Sequence, residues 1–146
     1  MPAPQNLKNH ARFDPLWHFF VAPMLLVNFA FAITATVRHW PDHAHLFLWW
    51  IVMSIVLFVA VGKARGHSLT AQDRIIRLEE RLRYASLLPA EQLPHTHSLT
   101  VKQIIALRFA SDAELPALIR RSLAENLTPK QIKQSITGWR PDYLRV

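Results

Sequence analysis

Eight histidines and no cysteine frame the chemistry open to this chain. His39, His43 and His45 crowd around Asp42, and neutral imidazoles with one carboxylate can ligate zinc or copper. The HExxH helix spacing of zinc hydrolases is absent, so these three are metal candidates by composition only. The lack of cysteine excludes disulfides, iron–sulfur clusters and thiolate zinc sites. A bis-histidine haem would pair His18 with His45. These open the two long apolar runs of the chain from opposite sides, roughly a bilayer apart, so ligation would need a second chain. His95 and His97 read as part of a polar linker.

Catalytic patterns are missing. Only three glycines occur, and no GxGxxG, Walker or nucleophile-elbow string is present. No carboxylate interrupts either apolar run, and none forms an evident acid–base pair. The expectation is a protein that is not an enzyme, with no catalytic residue and no bound cofactor. Asn28 and Ser54 are the polar residues that stand out, each near the middle of an apolar run. If the runs pair antiparallel, their depths coincide and Asn28 can hydrogen-bond Ser54. Such pairs average about 0.6 kcal/mol in membranes and join helices, and a polar step on an ion path is the other reading. Two spans cannot enclose a pore.

The elements that would carry these residues follow from hydropathy. Residues 16–37 hold no Asp, Glu, Lys or Arg, and at about 1.5 Å per residue they reach about 33 Å, enough for the hydrocarbon core. Residues 44–62 form a second, shorter run, with Lys or Arg absent before position 63. A cleaved signal peptide is disfavoured, because its apolar stretch spans about 7–15 residues and no second span follows it. The six-residue link 38–43 contains a proline and makes the spans antiparallel neighbours. Trp17, Trp40, Trp49 and Trp50 lie near span ends, where tryptophan anchors at the interface. Pro23 should kink span one near its cytoplasmic third by freeing a backbone carbonyl. Lys8 and Arg12 precede the first span, Lys63, Arg65, Arg74 and Arg77 follow the second, and the link has only Arg38. That bias puts both termini in the cytoplasm, with the protein in the inner (cytoplasmic) membrane.

From residue 63 onward fourteen Lys/Arg face eight Asp/Glu, a balance suited to anionic headgroups, nucleic acid or an acidic partner. Thr70-Ala-Gln-Asp73 resembles a capping box opening a helix to about residue 88. Ala71, Ile75, Leu78, Leu82 and Ala85 fall at alternating four- and three-residue spacing, a short coiled-coil-like seam. Packing on its own domain is the first expectation for this seam. Self-association or partner docking through Ile75, Leu78 and Leu82 is the second. Pro89 and Pro94 bracket a linker. Thr100 and Gln103 then open a helix striped by Val101, Ile104, Ile105 and Phe109, and residues 111–114 cap a helix striped by Leu115, Leu118, Ile119 and Leu123. Thr128 and Gln131 cap a last helix with Pro129 at its first position, Ile132 and Ile136 as stripe, and Gly138 as stop. Lys130, Gln131, Lys133 and Gln134 could make that helix a nucleic-acid reader. The small core, with Trp139 on it, is marginal and needs support from the preceding helix, the membrane or another chain.

The fold expected is thus all-α. A cytoplasmic tail (1–15) leads into a two-helix transmembrane hairpin (16–62), an amphipathic helix with a Pro-rich linker (63–98), and a small basic helical domain (99–146). Several strings then come together: Gln5-Asn-Leu-Lys-Asn-His-Ala-Arg-Phe13, Ala106-Leu-Arg-Phe-Ala-Ser-Asp112 with Glu114-Leu-Pro116, Leu127-Thr-Pro129, Ile132-Lys133, and Trp139-Arg-Pro-Asp142. Over essentially its whole length the chain resembles a bacterial family of small two-span membrane proteins of unknown function. That resemblance implies two spans and a helical tail, and no catalytic residues. The function expected is an accessory, scaffold or assembly subunit of a larger membrane complex, contacting anionic lipid and other membrane subunits or itself. A tethered nucleic-acid binder, or a redox subunit lending a histidine to another chain, are the alternatives.

Overall fold

The computed structural model describes residues 5–9 and 14–142, whose regular elements are all helices, with no strand among them. His10, Ala11, Arg12 and Phe13 of the first motif string and residues 143–146 lie outside the described residues. Two compact units emerge, one of residues 13–69 and one of residues 1–12 with 70–146.

In the first unit a π turn, Trp17–Val21, leads into α1, Ala22–Arg38. This widened turn is the irregularity that accompanies Pro23. Proline has no N–H to give and its ring crowds the carbonyl four residues back, so the preceding turn widens and Ala22 N–H reaches Trp17 O instead. The contacts between α1 and the start of α2 (Ala44–Leu87) pair residues in reverse order: Asp14 with Arg65, Asn28 with Ser54, Phe31 with Trp50, and His39 with Phe47. The two helices therefore run antiparallel. Small residues, Ala32, Ala35, Thr36 and Ser54, are the buried ones, which lets the backbones approach closely. Phe19, Leu26, Phe31, Leu46, Val52, Val56 and Phe58 are exposed instead. Trp17–Arg38 and Ala44–Leu87 are both long and apolar enough to cross a membrane, and only 11% and 6% of their apolar windows are buried.

The capping box expected at Thr70 does not form. α2 continues without a break from Ala44 to Leu87. A cap needs a residue outside helical backbone geometry, whereas Ala64, Arg65, Leu69, Ala71 and Gln72 favour helix on both sides of Thr70 and no proline interrupts them. Pro89 ends the helix, since a residue before proline is pushed out of the helical region.

In the second unit Tyr84 near the end of α2 and Leu88 just after it join a core shared with α3 (Val101–Leu107), α4 (Leu115–Ala124) and α5 (Pro129–Ser135). Leu107, Phe109, Leu115 and Ile132 are fully buried there. Each such side chain stabilises the unit by about 1.5–3 kcal/mol. Two 3-10 segments, Ala90–Gln92 and Pro94–Ser98, replace an extended linker and pack Leu93 on the core. Thr100 and Thr128 each close a full capping box, with Gln103 and Gln131.

Three local expectations change. Val101 faces outward, and Leu107 takes its place in the core. α4 begins after Glu114 with no side-chain cap, because the Glu114 carboxylate is committed elsewhere. Gly138 is not the stop of α5, which ends at Ser135 with Ile136 extended. The glycine is needed for close approach: a Cβ there would meet Ser111 Oγ at 3.0 Å and Ser111 Cβ at 3.2 Å. Ser111 N–H donates to Gly138 O, Arg140 N–H donates to Phe109 O at 2.7 Å, and Trp139 packs on Phe109 at 5.3 Å.

The seam expectation is corrected as well. Ile75, Leu78 and Leu82 are about 60% exposed, so they do not pack on their own unit. Ile76, Glu80 and Tyr84 on the opposite face of α2 are the buried set, with Leu88 just past its end. At about 100° per residue the two stripes lie close to 180° apart, and a single helix can bury only one of them on one core.

Candidate functional sites

Within the apolar pair, Asn28 Nδ2 donates to Ser54 Oγ at 2.8 Å, and Ser54 Oγ donates to Trp50 O at 2.8 Å. Trp50 Nε1 donates back to Asn28 Oδ1 at 3.2 Å. The amide thus spends its donor and its acceptor on one neighbouring helix. Trp50, expected as an interfacial anchor, is a third member of this polar contact, and Phe31 lies against its ring at 5.5 Å. Thr34 and Thr36 return their hydroxyls to Phe31 O and Ala32 O, leaving no donor from α1 pointing outward at those positions. Beside Ser54 is a cleft of about 200 Å³ lined by Leu26, Phe29, Ile55 and Phe58, and its walls are apolar.

At one end of the pair, Asp14 Oδ1 accepts from Trp17 N–H at 3.2 Å and Oδ2 pairs with Arg65 Nη1 at 2.8 Å. The Trp17 N–H, aided by the Arg65 guanidinium, holds the Asp14 carboxyl below its ordinary value although burial acts the other way. Arg65 also lies over the Trp17 ring at 5.2 Å. At the other end, His39 stacks on Phe47 at 5.2 Å. The metal candidates His39, His43 and His45 do not converge, and among the described residues no group of three His, Asp or Glu could hold a metal ion.

The second unit carries a site that the sequence reading missed. Arg83 reaches into the core from α2, donating Nε to Asp112 Oδ1 at 2.7 Å, Nη2 to Ala110 O at 2.7 Å and Nη1 to Glu80 Oε2 at 3.2 Å. Glu80 Oε1 faces Arg140 Nη1 at 3.6 Å. Arg108, buried, lies over the Phe109 ring at 4.5 Å with its Nε 3.2 Å from Asp142 Oδ2. Gln5 closes the circuit by pairing its amide with the backbone of Asp142, Nε2 to O at 3.0 Å and Oε1 from N at 2.8 Å. Residues of three of the motif strings, Gln5, Arg108 with Asp112, and Arg140 with Asp142, meet here although distant in sequence. Around them is a cavity of about 620 Å³ lined by Ile76, Glu79, Glu80, Arg83, Arg108, Arg140 and Asp142.

Its chemistry is that of a clamp. Lining carboxylates and guanidiniums balance in number, so the cavity has no surplus charge to bind an ion. Burial pushes the Glu80 carboxyl above its ordinary value, against the pull of Arg83, Arg140 and Arg108. Burial and the neighbouring Glu80 also raise Tyr84, whose hydroxyl has no hydrogen-bond partner among the described residues. No hydroxyl or imidazole lies among the lining residues to act as nucleophile or general base. A second clamp is Glu114: burial raises its carboxyl, but the Thr137 hydroxyl and N–H, with the N–H groups of Ser111 and Gly138, outweigh it and the net shift is downward.

Residues considered for nucleic-acid reading are partly committed. Gln131 accepts from Thr128 N–H and Oγ1, and Lys133 Nζ sits 5.7 Å over the Phe109 ring. α5 has only seven residues.

These features define an all-helical protein with two long, outwardly apolar helices and a charge-clamped helical unit. The chain belongs to the family of unknown function DUF6526, whose family model matches residues 1–146. No curated protein and no solved structure matches it.

Proposed function

We propose that this protein is a non-enzymatic inner-membrane subunit, an accessory, scaffold or assembly factor of a larger membrane complex. In this reading α1 and the first half of α2 form a transmembrane hairpin with both termini cytoplasmic, and the basic helical unit lies against anionic headgroups. One observation carries it. The apolar side chains of both long helices face outward, whereas Asn28, Ser54 and Thr36 have their polar groups satisfied inside the pair and the exposed Thr34 returns its hydroxyl to Phe31 O of its own helix. A core helix of a water-soluble protein is mostly buried, so this inversion fits lipid as the solvent. The second unit supports a docking role because its buried charges are spent on joining its own segments.

Carbonate extraction and flotation of membranes test insertion. Thiol labelling of single cysteines at Arg38 and at Gln92 tests direction: only Gln92→Cys should react from the cytoplasmic side. Gentle solubilisation followed by mass spectrometry tests the subunit role. A protein released by carbonate, or one that purifies alone as a monomer, contradicts the proposal.

A further inference from the structure

We propose that the exposed seam of α2 is the contact between two copies of this chain, aligned parallel and in register. With Ile75 and Leu82 at the a positions of a heptad, Ala71, Leu78 and Ala85 fall at d. All five are exposed, and the faces that pack on the unit's own core are b, c and f, carried by Ile76, Glu80 and Tyr84. A helix whose b, c and f positions are occupied presents a and d freely, which is the geometry of a two-stranded coiled coil.

Charge selects the occupant. Arg74 stands at g and Glu79 at the following e, both exposed, and neither forms an ion pair among the described residues. In a parallel pair each g faces the next e of its partner, so Arg74 of each copy meets Glu79 of the other, twice by symmetry. An antiparallel pair brings g against g and sets Arg74 beside Arg81, a repulsive arrangement. Ile75 at a with Leu78 at d also suits two parallel strands, with Leu82, Ala71 and Ala85 at the remaining seam positions. Insertion in one direction into one membrane aligns the copies in the same sense; that point rests on the membrane reading, while the charge pattern does not.

The chain has no cysteine, so single-cysteine variants report directly. Oxidative cross-linking of the full-length protein in membranes is expected to join Leu78→Cys into a product of twice the chain mass and to leave Arg77→Cys, at position c, uncoupled. Both side chains are exposed, so neither change touches the core. Adding Arg74→Glu to Leu78→Cys should cut the yield several-fold, and adding Glu79→Arg as well should restore it. A yield raised by Arg74→Glu means antiparallel pairing and overturns the proposal. Equal yields at Leu78→Cys and Arg77→Cys, monomer alone, or a product of another mass overturn it too. Carbonate extraction of the same samples reads insertion separately, so the dimer can fail while the membrane reading stands.

Discussion

The two units solve the same problem with opposite means. In the apolar pair, large side chains point outward and the few polar groups are closed on one another at the helix contact. In the helical unit, Leu107, Phe109, Leu115 and Ile132 point inward, and the polar groups that join its segments are full charges: Arg83, Glu80, Arg108 and Asp142. A charge is tolerable inside the second unit because water at its rim and several partners share the cost of burial. On the membrane reading proposed above, lipid offers no such help, and neutral amides and hydroxyls are the strongest polar groups the apolar pair would tolerate. Polar contacts should accordingly carry different weight in the two places.

The largest effect should come from Arg83→Ala, which leaves Glu80 and Asp112 without their main partner. Loss of one member of a buried ion pair costs about 3–5 kcal/mol, read as a drop in the thermal midpoint of the purified full-length protein. Acid should shrink that cost, because a protonated Glu80 no longer needs the guanidinium. Asn28→Leu should cost less, about 0.6–2 kcal/mol in unfolding from mild detergent, with a change in Trp50 fluorescence as its indole N–H loses Asn28 Oδ1. If Asn28→Leu proved as damaging as Arg83→Ala, the contrast between the units would collapse.

Tyr84→Phe removes a buried hydroxyl that lacks a hydrogen-bond partner among the described residues, so it should be neutral or stabilise by up to about 1 kcal/mol. A clear loss of stability would show that the hydroxyl is satisfied. The smallest effect is the response of the wild-type unit to pH, since two carboxylates oppose each other. Glu114 lies below its ordinary value of 4.5 when folded, so its stabilisation is present above that pH and is lost as pH falls through the lowered value. Glu80 lies above 4.5 when folded, so its ionisation costs stability at neutral pH and that cost vanishes below 4.5. Melts across pH should therefore show Glu114→Gln approaching wild type in acid, and Glu80→Gln diverging from it as pH rises.

Local rules read part of this fold from sequence. The boxes at Thr100 and Thr128 involve partners three residues away, and both form. The same kind of pattern at Thr70 fails, because a capping string acts only where the flanking residues let the helix stop. Asn28 and Ser54 could be paired in advance because each sits near the middle of an apolar run and a short link joins the two runs antiparallel. Trp50 could not, since its name fits an interface anchor as well as a hydrogen-bond donor. The charge clamp was invisible for a different reason: Gln5 and Asp142 are 137 positions apart, and nothing in either neighbourhood names the other. The motif strings containing Gln5, Arg108, Asp112, Arg140 and Asp142 were the available signal, read as resemblance without a meeting point.

Sequence alone determined the two apolar helices, the caps at Thr100 and Thr128 and most of the apolar stripes of α3, α4 and α5, since each depends on hydropathy or hydrogen bonding within a few residues. Tertiary structure decided which stripe of α2 is buried. Both stripes are apolar enough to serve, and only the packing of α3, α4 and α5 chose the face carrying Ile76 and Tyr84, with Glu80 between them. That choice leaves Ile75, Leu78 and Leu82 exposed, because a helix covered on one side by its own core must present the other to something else.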